Sequence, residues 1–138
     1  MIEQKTFSRL IVEFLENSLP EFCSTIKYQD NGSCDCELRN PSGKFAIWIA
    51  TYGSEITYGL EAPNGLTDIH THISCYETDD LDECLSTLNK EINKIISNKV
   101  ILYLNERKVY NWIEFTRLKE IEKQKGIIFQ KFFWSESI

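Results

Sequence analysis

The stretch "FAIWIATYGSEITYGLEAPNGLTDIHTHISC", residues 45–75, decides the fold. It holds three runs rich in β-branched and aromatic residues, "FAIWIAT", "ITYGL" and "TDIHTHISC", separated by the turn signals "YGSE" and "EAPNG". Runs of this length joined by short polar turns form an antiparallel meander. The first run is apolar on both faces and is expected at the centre of the sheet. The last one alternates, which places His70, His72, Ser74 and Tyr76 on one face and Ile69, Ile73 and Cys75 on the other.

Upstream, "FCSTIKY" (22–28) and "CDCELR" (34–39) read as two further strands bounded by "QDNGS" and "NPSGK". Before them, Phe7, Leu10, Ile11, Phe14 and Leu15 recur at helical spacing until Pro20, so residues 3–17 form an amphipathic helix. Downstream, Leu81, Cys84, Leu85, Leu88, Ile92, Ile95 and Ile96 make the apolar stripe of a second helix ending near Asn98. "VILYL" and "VYNWIEF" then flank the polar "NERK" as a hairpin, a short polar helix contains "RLKEIEKQ", and "GIIFQKFFW" closes the chain as a strand. The expected class is α+β: a mostly antiparallel sheet of about seven or eight strands with two main helices packed on it. No repeat or linker divides the chain, and residues 1–138 are expected to form a single domain.

With 42% hydrophobic and 26% charged residues, the composition is that of a folded globular chain. No run approaches the roughly 18 apolar residues of a membrane span, and "MIEQKTFSRL" lacks the pattern of a secretory signal. The expected compartment is therefore the cytoplasm, with no membrane association. Five cysteines (Cys23, Cys34, Cys36, Cys75, Cys84) suit a reducing compartment as small buried hydrophobes, and no disulfide is assigned. The net charge of −6 opposes direct binding to nucleic acid and favours encounter with a basic protein.

His70 and His72 share a strand face and could meet one ligand. A catalytic zinc site needs three protein ligands, but the chain contains only two histidines, and "CDC" lacks zinc-ribbon spacing. No metal or other cofactor is assigned. "HISC" supplies half of the paired His-x-Ser/Thr pattern of certain phosphoesterases. "HTHIS" carries two of the three alternating histidines of certain nucleotide hydrolases, with Ser74 in the third place. Barrel hydrolases that open with His-x-His need about 250 residues. Cys75, the nearest thiol, points to the opposite strand face from both imidazoles. No catalytic residue is assigned, and a small hydrolase centred on His70 and His72 stays as the alternative, beside a regulatory adaptor. The bland reading is that both histidines are half-buried strand residues whose tips reach water or a carbonyl.

Glu77, Asp79, Asp80, Asp82 and Glu83 open the second helix. Asp80 and Glu83 have capping-box spacing, and acids in a first turn complement the helix dipole. The remaining carboxylates form a cluster that could meet lysines or arginines of another protein. Aromatic residues that fall on an uncovered sheet face would be interface anchors.

"IWIATYGSEITYGL" followed by "HTHISCYETDDLDECLSTLNKEINKIISNKVILY" resembles small bacterial immunity proteins of contact-dependent growth inhibition and polymorphic toxin systems. The resemblance covers about residues 45–117. It rests on Trp48, Glu55, Thr57, His70, His72 and the acids from Asp79 onward, with Ile73 where that family has an aromatic. It implies an intracellular, non-catalytic protein that binds one cognate toxin C-terminal domain, often a nuclease. The candidate toxin-binding residues are Glu77, Asp79, Asp80, Asp82, Glu83, His70 and His72.

Overall fold

A computed structural model describes residues 2–66, 69–125 and 128–136. The chain runs α1 (Gln4–Ser18), β1 (Lys27–Tyr28), β2 (Cys34–Arg39), β3 (Ala46–Tyr52), β4 (Glu55–Glu61), β5 (Ile69–Ser74), α2 (Leu81–Ile96), β6 (Val100–Asn105), β7 (Tyr110–Glu114), α3 (Leu118–Lys125) and β8 (Ile128–Phe132). This is an α+β architecture in which every strand pairing is antiparallel. Among the described residues, eight strands divide into two sheets, ordered β1-β2-β3-β4-β5 and β7-β6-β8. β3 is central in the first, as its two-sided apolarity predicts.

Alternation makes the larger sheet two-faced. Ile47 and Ile49 of β3, Ile56, Tyr58 and Leu60 of β4, and Ile69 of β5 point inward. They meet Phe7, Ile11 and Leu15 of α1 and Leu88 and Ile92 of α2 in one core. The inner face of the smaller sheet, with Leu102 and Phe132, joins the same core, and edge-to-face contacts of Phe45 with Phe132 and Trp134 tie the two sheets together. On the outer face of the smaller sheet, Ile101, Tyr103 and Ile113 pack under Leu118 and Ile121 of α3.

A buried polar chain fixes α1 on the sheet. Ser8 Oγ lies 2.7 Å from Thr51 Oγ1, which also accepts the Cys34 N–H at 3.0 Å. Gln4 Oε1 accepts the Gly53 N–H at the β3–β4 turn. At the other end of the core, the buried Asn40 accepts the Phe45 N–H through Oδ1 and donates to the Trp134 carbonyl through Nδ2.

Two local expectations are corrected. The strand expected over 22–28 is a 3-10 turn at Pro20–Thr25 followed by only two strand residues, Lys27–Tyr28. Pro20 occupies the start of the turn, Phe22 is driven fully into the core, and Thr25 Oγ1 both donates to the Glu37 carbonyl and accepts its N–H. The β-branched residues there serve the turn rather than a ladder. The cap of α2 also moves: Asp80 makes no side-chain cap at Leu81. A 3-10 turn at Thr78–Asp80 extends the helix backwards, and the reciprocal capping box is Glu77 with Asp80, whose Oδ2 accepts the Glu77 N–H at 3.2 Å. The far end of α2 stops where the sequence predicts. Asn98 takes φ 64°, and the Asn98 and Lys99 amides bond back to Ile95 and Lys94.

Thr51→Val is nearly isosteric but strands the Cys34 N–H in the core and leaves the Ser8 hydroxyl with Gln4 Nε2 as its partner. It is expected to cost about 1–3 kcal/mol in urea unfolding. A loss below about 0.5 kcal/mol would show that this polar chain does not hold α1 in place.

Candidate functional site: the uncovered face of the larger sheet

The register lines up the outward side chains of the five-stranded sheet in rows: Arg39, Ala46, Glu61; Glu37, Trp48, Gly59, His70; Asp35, Ala50, Thr57, His72; and Tyr52, Glu55, Ser74. Both main helices pack on the opposite face. Among the described residues, Lys27 opposite Asp35 and Arg39, in an ion pair with Glu61 at 3.2 Å, supply the cations of these rows against four carboxylates.

Position 59 is what lets the middle row close up. A Cβ there would sit 2.2 Å from the Ile69 carbonyl oxygen and 2.9 Å from His70 Cβ, closer than any side chain can approach. With glycine, the half-buried Trp48 ring comes to 6.1 Å from His70, and His70 to 5.1 Å from His72. Trp48 Nε1 is buried without an acceptor among the described residues. A depression of about 620 Å³ beside Trp48 is lined by Thr25, Lys27, Asp35, Glu37 and Glu61.

Both histidines are exposed rather than half-buried. His72 Nδ1 lies 2.9 Å from Glu55 Oε1 and 2.8 Å from Thr57 Oγ1. A carboxylate only accepts, so this contact calls for the proton on Nδ1, and in the neutral ring Nε2 becomes the acceptor. A hydrolytic triad needs its carboxylate on one ring nitrogen and its nucleophile on the other. Here the carboxylate and the hydroxyl converge on the same nitrogen. Cys75 is fully buried, and burial followed by its neighbour Cys84 pushes its thiol up to about 12, which keeps it protonated. No group of three or more His, Cys, Asp or Glu among the described residues could hold a metal ion.

The acidic run continues from β5. The Cys75 N–H bonds to the Ser54 carbonyl, which ties the exit of β5 to the β3–β4 turn. Glu77, Asp79, Asp80, Asp82 and Glu83 are all exposed. The turn places them at the same end of the sheet as Tyr52 and Tyr76, which are 73% and 65% exposed. The structure thus places the histidine pair on β5 and the acidic run in the turn and helix start that follow it. It adds Trp48, Tyr52, Glu55 and Thr57, which the strand pattern alone does not single out as facing outward. Comparison with protein-family models, curated proteins and solved structures gives no match. No helix among the described residues is long and apolar enough to cross a membrane.

Two outcomes follow from this geometry. Gly59→Ala forces β4 and β5 apart and is expected to cost about 1–3 kcal/mol in urea unfolding. A neutral substitution would mean that the close approach is relieved at no cost. The second is alkaline. Burial, reinforced by neighbouring groups, pushes Cys36 and Cys75 from 9.0 up to about 12 and Tyr58 from 10.0 up to about 12. The folded chain therefore keeps protons that the unfolded chain releases. The stability contributed by these three groups is fully present below about pH 9 and is expected to fall from there toward 12, by at most about 1.4 kcal/mol per pH unit for each group. Urea midpoints measured under reducing conditions test this, and Cys75→Ala should make the fall shallower.

Proposed function

We propose that the chain is an immunity protein that binds and neutralises a cognate bacterial toxin domain by protein–protein contact, without catalysis. The observation that carries this reading is the uncovered sheet face. It sets Trp48, Tyr52 and the histidine pair among carboxylates and runs into the exposed acidic turn before α2. Tyr and Trp on such a face are the residue types that dominate binding energy. The net charge of −6 and the acids at Glu77, Asp79, Asp80, Asp82 and Glu83 favour a basic partner surface. A nuclease domain has one by necessity, because it binds phosphates. Carboxylates placed where those phosphates would lie occlude the groove. The resemblance at Trp48, Glu55, Thr57, His70 and His72 falls on this same face.

The first test is affinity capture of the tagged chain from its host, with mass spectrometry of what co-purifies. Recovery of the C-terminal fragment of one large exported protein in equal stoichiometry supports the reading. Recovery of stoichiometric zinc or manganese on an untagged chain that has no protein partner supports the histidine-centred hydrolase instead. With the partner in hand, lysine at positions 79, 80, 82 and 83 should slow association and flatten its salt dependence. Tyr52→Ala should weaken the complex about tenfold or more, mainly through faster dissociation. Unchanged kinetics in both variants would remove this face as the binding site.

A further inference from the structure

The depression of about 620 Å³ beside Trp48 lies within the sheet face proposed above as the binding surface. Its lining comes from the 3-10 turn before β1, from β1, β2 and β3, and from Glu61 at the end of β4. Paired strands therefore hold most of its walls.

Two observations mark it. The first is that its charges do not balance. Lys27 stands opposite Asp35 in the β1–β2 pairing, and Asp35 also accepts from Gln29 Nε2 at 3.0 Å. Glu61 is paired with Arg39. Thr25 Oγ1 engages the backbone N–H and carbonyl of Glu37, but the Glu37 carboxylate has no ion pair or hydrogen bond among the described residues. Glu37 is half-buried, so its charge gains more from an incoming cation than a carboxylate in open water would. The second observation is the ring next to it. Glu37 and Trp48 are register partners, which sets carboxylate and indole side by side on the outer face. Trp48 Nε1 is the one buried side-chain nitrogen or oxygen without a hydrogen bond among the described residues. Buried polar groups are ordinarily satisfied, and an orphan on a residue that lines a cavity is explained where a further molecule completes the site.

We infer that this depression takes one arginine side chain of the partner protein, an inference that rests on the reading of this sheet face as a protein-binding surface. The unmatched carboxylate calls for a cation, and the aromatic neighbour decides which kind. A divalent metal ion needs several oxygen ligands, and no group of three or more His, Cys, Asp or Glu among the described residues could hold one. A guanidinium pairs with a carboxylate through two parallel hydrogen bonds and also stacks on an indole ring. The lysine ammonium is a more strongly hydrated point charge and makes neither contact as well. Lys27 at the same depression limits the site to one added cation. The backbone carbonyls of the segment that carries the arginine are acceptors of the kind that the Trp48 N–H lacks.

The experiment is an NMR titration of the full chain with acetyl-glycyl-arginyl-glycinamide, following the assigned indole N–H signals of its three tryptophans. A saturable shift at Trp48, with Trp112 and Trp134 unmoved, is expected. The lysine analogue should bind at least about threefold more weakly. The citrulline analogue, which keeps the shape and loses the charge, should produce no saturable shift. Glu37→Gln should weaken the arginine peptide at least about fivefold. Glu114→Gln removes the same charge from the exposed end of β7 and should leave the affinity unchanged. The inference is overturned if the arginine peptide gives no saturable shift at Trp48, if the citrulline peptide binds as well, or if Glu37→Gln costs no more than Glu114→Gln. The titration needs no partner protein. A failed titration beside a captured toxin fragment overturns the arginine site alone, and a successful titration beside a failed capture overturns the immunity reading alone.

Discussion

The organisation of the molecule depends on the one-sided burial of its five-stranded sheet. A pleated strand sends alternate side chains to opposite faces, and α1 and α2 lie on only one of them. The inward positions of β3 and β4 are consequently apolar or, like Thr51, hydrogen-bonded in the core. Every outward position is set by register and left without a covering helix. A shift of one residue in β5 would bury His70 and His72 and expose Ile69 and Ile73. Gly59 secures that register from the outer side, because only a residue without Cβ lets β5 lie this close to β4.

The same constraint links fold to function. Side chains that stand on paired strands have little freedom to lose on binding, so a surface built on a sheet keeps more of its contact energy than one built on loops. His72 is held between Glu55 and Thr57, and Ala46 is buried between the members of the Arg39–Glu61 ion pair. The aromatic part of the face supplies adhesion, and the acidic turn before α2 supplies attraction at longer range. These roles fall on different links: charge acts on the rate of encounter, and aromatic burial on the lifetime of the complex.

Much of this was legible in the sequence because alternation and turn chemistry are local. β3, β4, β5, both main helices and the β6–β7 hairpin lie where the runs and turns place them, and the shared face of His70 and His72 follows from strand period alone. The misreadings have physical causes. Residues 22–28 carry strand-like composition, but Pro20 and the burial of Phe22 bend them into a 3-10 turn. Asp80 and Glu83 have capping-box spacing, yet an added 3-10 turn moves the cap back to Glu77. The partners of His72, and the outward exposure of Trp48 and Tyr52, depend on register and on which face the helices choose. A cleft of about 510 Å³ between the two sheets gathers Tyr58, Glu91, Tyr103, Trp112 and Arg117 from separate elements, so no spacing rule could have assembled it.

The most direct test of the account is hydroxyl-radical footprinting of the chain, free and bound to its captured partner, because it reads side-chain exposure residue by residue. Tyr52, Tyr76, His70 and His72 are expected to be shielded in the complex, while Val109 and Phe115, exposed elsewhere, react as in the free chain. Shielding of Val109 and Phe115 with Tyr52 and the histidines unchanged would place the interface on the smaller sheet and contradict it.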